Sequence, residues 1–131
     1  MPHANRNRLM ILVKRAYEDA TPEDGYRVLV DRLWPRGRSK ETLALAQWAR
    51  DVAPSAALRK WFGHRPERWE AFQQRYRREL DAEEQQQRMR RLLADTKGQP
   101  ITLVYGAKDE EHNQAIVLRD VLSHLLEGSD R

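Results

Sequence analysis

The reading that decides the fold lies in YRVLVDRLWPRG, Tyr26 to Gly37. Its first part, Tyr26 to Leu33, reads as a strand. The centre is apolar and β-branched without polar alternation, the pattern of a strand covered on both faces. Pro35 and Gly37 end it. The character changes within one residue at Asp31, where an acid, two arginines and a proline-locked tryptophan crowd the exit.

Working outward, Met10 to Tyr17 (MILVKRAY) predicts another strand, and Glu18 to Gly25 a turn-rich loop. Ser39 to Leu45 predicts a short helix with Ser39 as N-cap. Ala46 to Pro54 alternates and predicts a third strand, with a continued helix as the alternative. Ser55 caps a helix that stops at Gly63. Pro66 opens a stronger helix, where Trp69, Phe72, Tyr76 and Leu80 recur at helical spacing and form the buried face. Glu83 to Asp95 is a further helix with Met89, Leu92 and Leu93 inward. KGQP breaks it, and Ile101 to Tyr105 (ITLVY) is a short apolar strand. A last helix carries Leu118, Val121, Leu122 and Leu125.

Strands separated by helices predict an α/β fold: a single three-layer domain with a small, mostly parallel sheet flanked by helices. The expected boundaries are a flexible basic arm at 1–8, one domain at 9–127 and a tail at 128–131.

The chain has 131 residues, enough for one core of ordinary size. It has no cysteine, which excludes disulfides, thiolate catalysis and cysteine-ligated zinc together. Neither a signal peptide nor a membrane span is legible, and a cytoplasmic location is expected. The net charge of +4 leans toward anionic partners, but 20 acidic residues are interspersed among 24 basic ones. A dedicated nucleic-acid arm shows a cleaner basic block.

In a parallel sheet, ligands bind beyond the carboxyl ends of the strands. That rule selects the candidate site. Arg32, Trp34 and Arg36 alternate, so an extended backbone turns them to one side. Two guanidiniums around an indole suit a planar anion. The bland alternative pairs Arg32 with Asp31 or Asp51 and makes Trp34 a core lid. GAKDEEHN, Gly106 to Asn113, joins a buried strand to a helix, and Lys108 adds charge where a helix N-terminus offers free N–H groups. Asp109 there is a helix N-cap or an acid/base. His112 is the histidine near this edge and a candidate proton carrier. Asp51 is an ion-pair partner or a general base. Asp51, Asp109 and His112 are therefore the candidate catalytic groups. Arg32, Trp34, Arg36, Tyr105, Lys108 and Asn113 are the candidate ligand-binding ones. No metal and no cofactor is expected.

RVLVDRLWPRG, ARDVAPSAALRKWFGHRPERWEAF and VYGAKDEEHNQAIVL stand in the order seen in the DUF488 family, in its short YeaO-like branch. The resemblance covers about Val13 to Leu122. It implies a small bacterial or archaeal protein and supplies no reaction. Longer relatives carry cysteines around the equivalent of Tyr105 to Asn113, and this chain has none there. Some members bear methyltransferase-like names, but no glycine-rich turn followed by a ribose-binding acid is present here.

The functional expectation is a small anionic or nucleotide-like ligand at the strand edge, with hydrolase or transferase chemistry as a further option. A nucleic-acid-binding module and a non-catalytic interaction protein with a structural ion-pair network are the alternatives. No membrane partner is expected, and the oligomeric state is not legible.

Overall fold

The computed structural model describes residues 10–129. The arm expected at 1–8 lies outside the described residues, as do the last two residues of the expected tail. Four strands form one parallel sheet: β1 (Ile11–Arg15), β2 (Tyr26–Leu29), β3 (Gln47–Trp48) and β4 (Ile101–Tyr105), in the order β1-β4-β2-β3. The last strand in sequence is thus inserted between the first two. It pairs Ile11 with Ile101 on one side and Tyr26 with Ile101 on the other. All five residues of β4 are buried, which is why ITLVY carries no polar alternation.

Five helices follow the chain: α1 (Lys40–Leu43), α2 (Ala56–Phe62), α3 (Trp69–Leu80), α4 (Glu83–Asp95) and α5 (Gln114–Ser129). The sheet separates two unequal layers. On one face Val28, Val30, Ile101, Leu103 and Tyr105 pack under Phe62, Phe72, Tyr76, Leu80, Met89, Leu92, Leu118 and Leu122, so α2 to α5 all contribute to the main core. On the other face Ala16, Leu29 and Val104 meet Leu43 of α1, with Trp34 and Leu45 against them.

The local signals work as physical chemistry requires. The Ser39 hydroxyl accepts the Thr42 N–H and caps α1. The Ser55 hydroxyl accepts the Leu58 N–H at 3.1 Å and donates to Glu79 Oε2 at 2.6 Å, which ties the start of α2 to α3. Phe72 and Tyr76 are buried, and the Tyr76 hydroxyl donates to the Val52 carbonyl at 2.6 Å, so its one polar atom is satisfied. Trp69 is only half-buried, lying against Phe62 and Phe72.

Three expectations need correction. The second strand stops at Leu29, not Leu33, because the chain bends at Arg32 and Leu33 to leave the sheet. The segment from Ala46 to Pro54 yields a two-residue strand and then a tight 3-10 turn over Arg50–Val52. It pairs with Val28 and Leu29 of β2. Finally, α5 runs to Ser129, past the start of the expected tail. Among the described residues, no helix is long and apolar enough to cross a membrane.

Candidate functional site

After β2 the chain crosses to the α1 face; after β4 it enters α5 on the opposite face. β2 and β4 are neighbours, so their outgoing segments part and leave a crevice above their carboxyl ends. A cleft of about 560 Å³ occupies that position. Tyr17 past β1, Asp31 to Arg36 past β2, Pro54 past β3, and Gly106 to Asp109 with Asn113 and Gln114 past β4 line it. Arg59, Phe62, His64 and Phe72 close it from the helical layer.

Of the nine residues singled out from the sequence, Arg32, Trp34, Arg36, Lys108, Asp109 and Asn113 line this cleft, whereas Asp51, Tyr105 and His112 do not. Arg32 does not pair with Asp31 or Asp51. Its Nε donates to the Pro54 carbonyl at 2.9 Å, and Nη2 reaches the Ala53 carbonyl at 3.4 Å. Trp34 donates its indole N–H to the Arg38 carbonyl at 2.6 Å and meets Trp48 edge-on at 5.5 Å, so it is held on the thin face as well as at the cleft. Arg36 is exposed at the head of a turn in which Gly37 has φ 79°, a conformation that suits glycine. The Tyr17 hydroxyl fixes this turn by donating to the Arg36 carbonyl.

Asp51 is exposed on its 3-10 turn and forms no ion pair among the described residues; its carbonyl accepts from Gln85. Tyr105 is buried in the core, and burial pushes its phenol above the usual range. The cap of α5 is Asn113, not Asp109: its Oδ1 accepts the N–H groups of Ala115 and Ile116. Asp109 closes the preceding turn instead. It accepts the N–H groups of Glu111 and His112 through Oδ1, and Oδ2 lies 2.8 Å from His112 Nδ1. The hydrogen bond from the His112 ring, with those from the backbone, holds the Asp109 carboxyl below its usual range. The His112 ring packs edge-on against Trp69 at 5.2 Å, away from the cleft lining.

Of the cleft residues outside that set of nine, two carry a formal charge. Arg59 sits on α2. Asp31 stands at the exit of β2, where the sequence suggests only a salt-bridge partner for Arg32. Its Oδ2 accepts the Gly106 N–H at 2.8 Å and its Oδ1 accepts from the Gln114 side chain. The carboxylate thereby joins the two loops that form the crevice. A Cβ at position 106 would lie 3.0 Å from Asp31 Oδ2, so glycine there permits the approach. Burial outweighs these two hydrogen bonds and the field of Arg59, and pushes the Asp31 carboxyl up to about 6. Among the described residues, no group of three His, Asp or Glu side chains could hold a metal ion.

Fold and cleft together define the class: a single α/β domain with a crevice at the point where neighbouring strands send their connections to opposite faces. The chain belongs to the DUF488 family, in its YeaO-like branch: residues 10–131 match the family model described as "Inactive DUF488-N3 subclade". The Escherichia coli (strain K12) protein named "Uncharacterized protein YeaO" is 45% identical over 115 residues, covering 88% of this chain and 98% of the relative. The Mycobacterium bovis protein named "Uncharacterized protein Mb3100c" is 39% identical over 113 residues, covering 86% and 93%. The Mycobacterium tuberculosis (strain ATCC 25618 / H37Rv) protein named "Uncharacterized protein Rv3073c" gives the same figures. No solved structure matches the chain.

Proposed function

We propose that this protein binds a small anionic ligand in the cleft above β2 and β4 and does not transform it. The observation that carries the reading is a charge imbalance. Arg32, Arg36, Arg59 and Lys108 line the cleft, and none of them forms a salt bridge among the described residues. Among the described residues, only Asp31 and Asp109 line it with opposite charge. Several like charges facing one depression repel each other, and an anion relieves that repulsion. Guanidinium groups also offer forked donors that suit phosphate or carboxylate. Phe62, Phe72, Leu33, Pro35 and Pro54 supply apolar wall for the rest of a ligand.

Binding without turnover is favoured by the state of the proton-handling candidates. Asp109 is committed to its turn and to His112, and His112 meets Trp69 edge-on and does not line the cleft. The family description, with its word "inactive", agrees with that reading.

Calorimetric titration with inorganic phosphate, phosphate monoesters and nucleotides tests the proposal. Arg36→Ala is expected to stay folded and to lose about 1.5–3 kcal/mol of binding free energy, the worth of one charged hydrogen-bond partner. No binding by wild type, or equal binding by both proteins, overturns it.

A further inference from the structure

We infer that the ligand carries, next to its anionic group, a protonated amine or comparable N–H donor, and that Asp31 is the residue that reads it; this rests on the anion-binding reading above. The first support is what Asp31 leaves unused. A carboxylate offers about four acceptor positions. Gly106 and Gln114 take one on each oxygen, and the remaining positions belong to a group that lines the cleft.

The second support is the missing ion pair. Among the described residues four cations share the cleft with Asp31, yet none pairs with it. From its own loop, Arg32 turns to the carbonyls of Pro54 and Ala53, and Arg36 is exposed. From the helical layer, Arg59 acts on Asp31 through space, His64 lines the cleft, and the buried Tyr76 hydroxyl is already spent on Val52. From the β4–α5 loop, Lys108 and Asp109 line the same space. A carboxylate kept among cations without a partner is open to an external one.

The third support is that the fold does not require the charge. An asparagine at 31 could accept the Gly106 N–H through its oxygen, and Gln114 could turn its own carbonyl to the new amide. A negative charge in this cleft weakens the binding of a plain anion. It becomes useful when the ligand brings a positive donor to meet it, because a poorly solvated carboxylate gains more from a new hydrogen bond than an exposed one does. The upward displacement of the Asp31 carboxyl to about 6 agrees: at pH 7.5 the group is ionised and under-solvated.

The test compares phosphoethanolamine with ethyl phosphate, which share the phosphate ester and differ in the ammonium group. By calorimetry at pH 7.5, wild type is expected to bind phosphoethanolamine about tenfold more tightly, as one charge-assisted hydrogen bond allows. In Asp31→Asn the preference should vanish while ethyl phosphate binds more tightly than it does to wild type. Asp31→Ser serves in the same role if the asparagine variant does not fold, and the wild-type ratio stands independently of either. Equal affinities in wild type, with ethyl phosphate binding still weakened by Arg36→Ala, overturn this inference and leave the anion reading intact. Absence of binding by both probes overturns the two together.

Discussion

Two aspartates bracket β2. Asp24 stands two residues before the strand and Asp31 two residues after it. Asp24 is buried and fully answered: Lys14 Nζ lies 3.1 Å away, Arg27 Nη1 2.7 Å, and the Thr21 N–H and hydroxyl also donate to it. Burial pushes its carboxyl up, but the hydrogen bonds from Thr21, Lys14 and Arg27 outweigh that and hold it below the usual range. Among the described residues Asp31 receives two neutral donors and no cation, and burial wins. At the amino ends of the parallel strands the charges are matched to one another, and the result is a structural clamp. At the carboxyl ends the cations and the acid share a cleft but stay apart. The difference distinguishes a carboxylate matched by cations within the fold from one that faces a cleft.

The largest effect should come from breaking the matched end. Asp24→Ala leaves Arg27, 3% exposed, buried without its counter-charge. It is expected to cost about 3–5 kcal/mol, read as a fall in the urea midpoint at unchanged slope. A wild-type midpoint would show that the clamp is not structural and dissolve the contrast.

The next effect is one of pH. The folded Asp31 carboxyl holds its proton up to about 6, whereas an unfolded aspartate releases it near ~4. Folded protein therefore binds more protons in that window, and stability falls as pH rises through it, by roughly 2–3 kcal/mol in all. Asp31→Asn should remove this slope and gain stability at pH 7.5. Urea titrations between pH 4 and 7.5 on both proteins decide it. Parallel curves would mean that Asp31 is as well solvated as an ordinary surface acid.

Gly106→Ala sharpens the same point with a smaller change. Its methyl group would meet Asp31 Oδ2 at 3.0 Å, so the carboxylate must retreat from the Gly106 N–H. About 1 kcal/mol is expected, at the low end for an overpacked site because a side-chain tip can move. Smallest of all is Arg36→Ala. The side chain is exposed and unpaired among the described residues, so stability should stay within ~0.5 kcal/mol by thermal melt while phosphate binding weakens. A clear loss of stability would instead make Arg36 part of a structural network.

Much of the fold is legible in the sequence. The short run ITLVY, bounded by KGQP and Gly106, reads as a strand buried on both sides, and Trp69, Phe72, Tyr76 and Leu80 read as one face of a helix. Ser39, Ser55 and Gly63 mark helix ends, because caps are chosen by local hydrogen bonding. The rule that ligands gather at strand carboxyl ends brings together Arg32, Trp34, Arg36, Lys108, Asp109 and Asn113. Where the reading fails, the cause is non-local. The alternation of Arg32, Trp34 and Arg36 assumes an extended chain, but the backbone bends at Arg32 and Leu33, and each side chain finds its own partner. Asp109 resembles a helix cap by composition, yet the helix starts five residues later and is capped by Asn113.

The sequence by itself determined most of the elements, the caps at Ser39 and Ser55 and the sheet edge at which the cleft opens. These depend on interactions within a few residues and on the period of apolar side chains. Tertiary structure alone decided the role of Asp31. No local pattern sets it 75 residues from the Gly106 N–H and 83 from Gln114, or brings Arg59 into the same cleft without a salt bridge. Insertion of β4 between β1 and β2 does that, and whether a carboxylate is matched or left open depends on which distant groups the fold delivers to it.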